Sequence, residues 1–408
     1  MISHGPRLSF VIGFLMACVF PLQAQDITVE KAFSAVPFEL WSQQEHRVEI
    51  PWKLEIKPYG LSLHQRLRAY VGVELKRREL VKRSPEGRLL VLLQVVDGSG
   101  QRFRDYGILQ PKDFGEARKG EIGLNWDMYM LPGMYHVTVM LVDTKSGEHN
   151  VRHSPLRIEA LKDDPLPGVW TGLPAVEFLD PHMRGPDALY RSEILNKLHL
   201  PLATAHPVRL EILADVTASD LFHGSTTFYN RYLGVALPLL KALSQIELEQ
   251  GSTDVAMLDL RKHSVTFEQD NVKELDWKRA KAVLAPENGP ATIDIKALEQ
   301  KRESPAFLQD ELLRRLNVQE APLHVFVIIG SPMDFYSFRN LPHLPHGSEE
   351  KCVVYYLQFE LLNTAYADGA IGNVRRMLSP LRLHVFKVRS AESVRHALAK
   401  ILAEVAEM

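Results

Sequence analysis

Cysteine is almost missing from this chain: 408 residues contain two, Cys18 and Cys352. Cys18 lies in a leader-like N-terminus, so after ordinary cleavage only Cys352 remains and no intrachain disulfide can form. The neighbours of that thiol, "KCVVYYLQF", are those of a buried strand, not of a reactive site. An excess of charge is missing too. Forty-eight Lys and Arg face 50 Asp and Glu, for a formal net charge of −2, which excludes a general nucleic-acid binder with a broadly basic face. Beyond the N-terminus no apolar run reaches the roughly 18 residues of a membrane span. No G-x-S-x-G elbow, P-loop, H-E-x-x-H or G-x-G-x-x-G occurs, and no short-period repeat is visible.

What is present is a globular composition, 46% hydrophobic and 24% charged, long enough for two domains. The first residues, "MISHGPRLSFVIGFLMACVFPLQAQD", place Arg7 before an apolar stretch and "LQA" before Gln25. Residues 1–24 read as a secretory signal peptide, so the mature protein is expected outside the cytoplasm; the alternative is a lipoprotein anchored at Cys18.

From Gln25 to Ala160 the signals are those of β structure. "HRVEIPWKLEI", "LRAYVGVEL", "GRLLVLLQVVD" and "GMYHVTVMLVD" are separated by Gly, Pro, Asp and Ser clusters, with a hairpin turn at Thr144–Gly147. The spacing predicts an immunoglobulin-like β-sandwich over 25–160, without the disulfide of antibody domains. The basic run Lys76–Arg83 reads as a solvated strand end or loop. Residues 161–206, opening with the Pro-rich "LKDDPLPGVWTGLP", read as a linker or domain-edge strap, with a short helix around Ala188–Leu198.

From Pro207 strands alternate with helices. "VRLEILAD", "STDVAMLDL", "HSVTFEQ", "LHVFVIIG", "KCVVYYLQFEL" and "LRLHVFKV" are strand-like. "FYNRYLGVALPLLKALSQIEL", interrupted by Pro238, "DWKRAKAVLAP", "PAFLQDELLRRLN" and "AESVRHALAKILAEVAE" are helical. This alternation predicts a doubly wound α/β domain over 207–408, with helices on both faces of a largely parallel sheet. Ligands of such sheets collect at the carboxyl ends of the strands. There "VRLEILADVTASD" sets Asp215, Thr217 and Ser219 at alternate positions. Carboxylate and hydroxyl oxygens in that pattern suit a hard cation such as Mg²⁺, with a position left for a partner's carboxylate. The same residues also suit an ordinary strand-to-helix turn, in which Ser219 or Asp220 caps the helix and Asp215 accepts from loop amides.

The element order and "DVTAS" resemble a von Willebrand factor A domain, whose metal-ion-dependent adhesion site has the pattern Asp-x-Ser-x-Ser. Asp215 and Ser219 match it, and Thr217 keeps a hydroxyl. The resemblance implies Thr292 as a further ligand. The β-rich front half with "LPGMYHVTV" is similar to the domain preceding the A domain in secreted proteins of this group, common in Acidobacteria. One departure stands out: the run "VFVII" is followed by "GSPMDF", so Ser331 occupies the place of the expected metal-site Asp, and Asp334 lies three residues on. The aromatic loop that follows holds Phe335, Tyr336, Phe338 and Arg339, residue types that anchor protein interfaces; a self-packed lid is the other reading.

The resemblance therefore implies an exported binding module that holds a protein partner on the top face of its A-type domain, with or without Mg²⁺. The alternatives are a metal-assisted hydrolase using Asp215, Asp334, His343 and His346, or a degenerate A domain with a structural role in an envelope assembly. His343, His346 and Cys352 are close in sequence, but Pro345 places the two histidines on a loop.

Overall fold

The structure, a computed structural model, describes residues 27–43, 50–83, 86–110, 119–179, 196–217, 226–284, 303–316, 323–331, 335, 352–359, 366–379 and 381–408. The expected signal peptide and nearly all of the helix expected around Ala188–Leu198 lie outside them.

The described chain opens with two short helices, α1 (Ile27–Ser34) and α2 (Phe38–Trp41), where β structure was expected from Gln25 onward. The helices answer to tertiary packing. Val29 and Phe33, four apart, share one helix face, and with Phe38 they bury Leu90, Leu92, Met140, Val142 and Val151. Next come β1 (Trp52–Leu61), β2 (Leu67–Lys76), α3 (Arg77–Val81), β3 (Leu89–Val96), β4 (Arg102–Leu109), β5 (Glu121–Met130), β6 (Gly133–Asp143), β7 (His149–Ile158) and β8 (Val176–Phe178). They form two antiparallel sheets of order β1-β2-β5-β8 and β4-β3-β6-β7. Val71, Val73, Trp126 and Met128 of the first share a core with Val91, Leu93, Val137 and Val139 of the second. Covered by the facing sheet on one side and by α1–α2 on the other, β3 is apolar without alternation except at Gln94. The hairpin turn expected at Thr144–Gly147 joins β6 to β7, closed by the Gly147 amide donating to the Asp143 carbonyl (2.9 Å).

The basic run is solvated as expected at Lys76, Arg78 and Lys82. Its middle is α3, and Arg83 is largely buried, donating to Asp143 (2.6 Å) and Glu148 (2.8 Å). Segment 161–206 serves both halves: β8 extends the first sheet, and β9 (Leu200–Leu202) pairs with a strand of the second half.

The second half contains β10 (Val208–Asp215), α4 (Thr226–Leu243), β11 (Ile246–Leu248), β12 (Gly251–Asp259), β13 (Ser264–Gln269), α5 (Trp277–Leu284), α6 (Ser304–Leu316), β14 (Leu323–Gly330), β15 (Cys352–Phe359), α7 (Tyr366–Met377), β16 (Arg382–Val388) and α8 (Ala391–Ala406). Six strands form one sheet of order β13-β12-β10-β14-β15-β16, parallel except for the edge strand β13. Alternate residues of the central strands enter opposite cores. Leu210, Ile212, Val325 and Val327 meet α4 and α8. Leu213, Phe326, Ile328 and Val354 meet α6 and α7. Burial on both faces is why these strands read as apolar runs without strict alternation, interrupted in β10 by Arg209 and Glu211.

The halves are locked at the tip of the β1–β2 hairpin. Gln65, fully buried with φ +61°, donates through its side chain to the Ala391 carbonyl (3.1 Å), and its own carbonyl accepts from the Trp170 indole (2.7 Å). Arg395 on α8 forms a bidentate pair with Asp164 (2.7 Å twice), also donates to the Leu166 carbonyl (2.9 Å), and stacks 4.5 Å over Trp170. Arg66 pairs with Glu177 (3.0 Å) nearby, both almost wholly buried.

Candidate functional site

The strand order places a reversal between β10 and β14. From β10 the chain moves outward to β12 and β13, then returns to β14 and continues the other way through β15 to β16. Connections leaving two adjacent strands in opposite directions open a crevice at their carboxyl ends. Those ends are Asp215 and Gly330.

Asp215 terminates the apolar run of β10 and is only 4% exposed. Its Oδ1 accepts from the Thr217 amide (2.9 Å), a local turn that aspartate favours because its short side chain reaches the backbone two residues on. The Val216 amide still donates to the Leu258 carbonyl, and the Thr217 hydroxyl accepts from the Leu260 amide (2.6 Å). Residues 216–217 are thus clamped to the end of β12. The Asp215 contact matches the part of the strand-to-helix-turn reading in which this acid accepts from loop amides; Ser219 and Asp220, the expected caps, lie outside the described residues.

Gly330 closes the opposite wall. A Cβ there would lie 3.4 Å from Asp215 Cβ and 3.2 Å from the Tyr356 hydroxyl, so glycine lets the three groups crowd together. Ser331 follows, buried. The described residues of the site are therefore Asp215, Thr217, Gly330, Ser331 and Tyr356. Sequence reasoning singled out Asp215, Thr217 and Ser331 but missed Tyr356. In "VVYYLQF" two adjacent tyrosines look alike; only the pairing of Tyr356 with Ile328 brings the second to this rim.

Ser219, Thr292, Asp334, Tyr336, Phe338 and Arg339 lie outside the described residues, as do His343 and His346 of the hydrolase alternative. Phe335 is described, and it departs from the expected surface anchor. At 1% exposure it packs with Ile328, Tyr356 and Ile371, and its carbonyl accepts from Asn373 (2.6 Å). An aromatic ring that follows an apolar strand gains more by joining the adjoining core than by facing solvent. Cys352 is a core thiol as expected, its pKa pushed up to about 12 by burial.

A second charged cluster lies toward the amino ends of the strands. Glu211 on β10 is fully buried between Arg315 (2.7 Å) and Arg209 (2.9 Å). Arg209 also pairs with Asp254 (2.8 Å), and Arg315 with Glu268 (2.5 Å). Burial raises the Glu211 carboxyl above its ordinary value despite Arg315, and burial with Arg209 lowers His324. Each acid here has a basic partner, which fits a brace between β10 and α6. Among the described residues no group of three or more His, Cys, Asp or Glu side chains is placed to hold a metal ion.

No family model matches the chain, and no curated protein matches it. Among solved structures, similarity is found to the PilB minor pilin from Streptococcus sanguinis (9% identity, TM-score 0.27, covering 89% of this chain and 80% of that one). It is found also to a putative ApaA protein from Bordetella pertussis (10%, 0.18, covering 27% and 94%). A carbohydrate esterase whose active site displays divergent catalytic and non-catalytic binding functions is a third (8%, 0.21, covering 88% and 98%). Overlaps this shallow carry no argument about fold or activity.

Proposed function

We propose that this chain is an exported partner-binding module, in which an immunoglobulin-like sandwich carries a von Willebrand factor A-type domain. A protein partner is held at the carboxyl ends of β10 and β14. The observation supporting the reading is the strand order with its antiparallel edge strand, which sets Asp215 at the point of reversal. In addition, no helix among the described residues is long and apolar enough to cross a membrane.

Mg²⁺ fits the described donors in part. Asp215 and the hydroxyls of Thr217 and Ser331 are the oxygen ligands a hard cation takes. With Ser331 where an acid is expected, a single described carboxylate offsets half of a divalent charge. In this reading Ser219, Thr292 and Asp334 complete the protein's ligands, and the partner's carboxylate supplies the missing charge. In this reading Tyr336, Phe338 and Arg339 are the residues that contact the partner, whereas Phe335 belongs to the core.

The test is Mg²⁺ titration of the mature chain followed by thermal unfolding. At tenfold excess over Kd, binding stabilises by about 1.4 kcal/mol. Asp215→Ala abolishes the gain and Ser331→Asp enlarges it. A flat response in all three proteins removes the metal from the proposal. Partner capture from an envelope extract that survives both Asp215→Ala and Phe338→Ala removes the top face as well.

A further inference from the structure

A cleft of about 480 Å³ lies at the seam between the two halves, walled by the β1–β2 hairpin, α4 and the corner between β16 and α8. It is separate from the rim at Asp215. Ligand sites prefer such seams, and this volume falls within their usual range of roughly 300–1,000 Å³.

The α4 wall is unusual for a helix. It presents Gly234 and Pro238, four residues apart on one face, and these are the two residue types least suited to a helix interior. No packing contact demands the glycine: a Cβ at 234 would meet no atom within 4 Å, because the space it would enter is the cleft. Proline has no N–H to give the carbonyl four residues back. The Gly234 carbonyl thus lacks its usual helical donor in a wall that lines open space. The glycine keeps this face open, and the proline leaves it a hydrogen-bond acceptor.

The remaining walls carry guanidinium N–H donors and aromatic surface. Arg68 and Arg389 line the cleft, and none of its described lining residues is an acid. Arg68 is held by Asp127 (2.6 Å) and stacks 5.5 Å over the Tyr59 ring. Tyr129 forms part of the floor, its phenol kept neutral by burial that pushes its pKa up to about 12.

We infer that the cleft binds a small organic acid with an apolar or aromatic body and a hydroxyl or amino donor. Its carboxylate meets Arg389 and Arg68, its donor meets the Gly234 carbonyl, and its body lies against Tyr59 and Tyr129. Because the ligand touches both halves, it strengthens their docking.

The probe is 3-phenyllactate, titrated calorimetrically against the mature chain. The controls are 3-phenylpropanoate, which lacks the hydroxyl, 3-phenylpropan-1-ol, which lacks the charge, and inorganic phosphate. Saturable binding of phenyllactate is expected, about tenfold weaker without the hydroxyl and weaker still without the charge. Gly234→Leu fills the cleft and abolishes binding with no fall in thermal midpoint, so lost binding is not lost folding. Arg389→Gln weakens binding about tenfold or more. The inference is overturned if phenyllactate does not bind wild type at millimolar concentration, if Gly234→Leu binds it unchanged, or if phosphate or the alcohol binds more tightly than the acid.

Discussion

Asp164→Asn probes the lock between the two halves most directly. The Arg395 side chain is 1% exposed and Asp164 12%, so this pair sits in a poorly solvated setting. Burial opposes ionisation of Asp164, but hydrogen bonds from Arg395 and the Leu166 amide outweigh it and hold the carboxyl below its ordinary value. Removing one charge of a buried pair costs about 3–5 kcal/mol, because the other is stranded. Here the Leu166 carbonyl and the Trp170 ring still accept the guanidinium, which returns about 1 kcal/mol. The expected loss is therefore about 2–4 kcal/mol. Urea unfolding of the protein, followed by both tryptophan fluorescence and circular dichroism, measures it. In the variant the two signals should separate as the halves unfold independently. Arg395→Met with Asp164→Leu should recover most of the loss, since an apolar pair strands no charge. The pH dependence has a defined sign. A depressed carboxyl contributes fully above its unfolded pKa of about 3.9 and loses that contribution as pH falls through the lower folded value. The variant should lack this part of the acid transition. A cost below about 0.5 kcal/mol, typical of a solvated pair, would refute the reasoning.

Arg315→Met strands Glu211 in the sheet beside Arg209 alone, at an expected cost of about 3 kcal/mol. Since the folded Glu211 carboxyl is then raised further, that variant should lose stability as pH rises above about 4.3, measured by denaturation from pH 4 to 7. Gly251→Ala should unfold or cost more than about 3 kcal/mol, read by thermal denaturation. Its φ is +114°, and the added Cβ would lie 1.8 Å from the Val208 carbonyl oxygen. Cys352, with its thiol pKa near 12 and 2% exposure, should resist a thiol-disulfide reagent at pH 8 in the native protein and react at once in denaturant. Rapid native labelling would contradict its burial.

Periodicity carried much of the architecture because it is written locally. Runs such as "LHVFVIIG" and "VRLEILAD" lack the strict alternation of a half-buried strand because both of their faces are buried, with His324, Arg209 and Glu211 as polar exceptions, and they stand at the centre of the six-stranded sheet. Asp215 was legible because an acid ending such a run marks a strand end. The failures share one cause. Residues 27–34 are helical because of the sheet face they cover, a contact no local pattern states. Phe335 was assigned to the surface by residue type, whereas its place in the core with Ile328, Tyr356 and Ile371 settled its burial.

The amino-acid sequence alone determined where the chain can be strand or helix, that its two cysteines allow at most one disulfide, and which residue ends the first central strand. Folding decided that Gly330 and Tyr356 meet Asp215, that Arg315 finds Glu211 from 104 residues away, and that Gly234 and Pro238 open onto a seam built from both halves. The physical reason is range. Backbone preference and hydrophobic period act over a few residues and can be read along the chain. A site depends on strand register and on the docking of distant surfaces, and those are set only when the whole core closes.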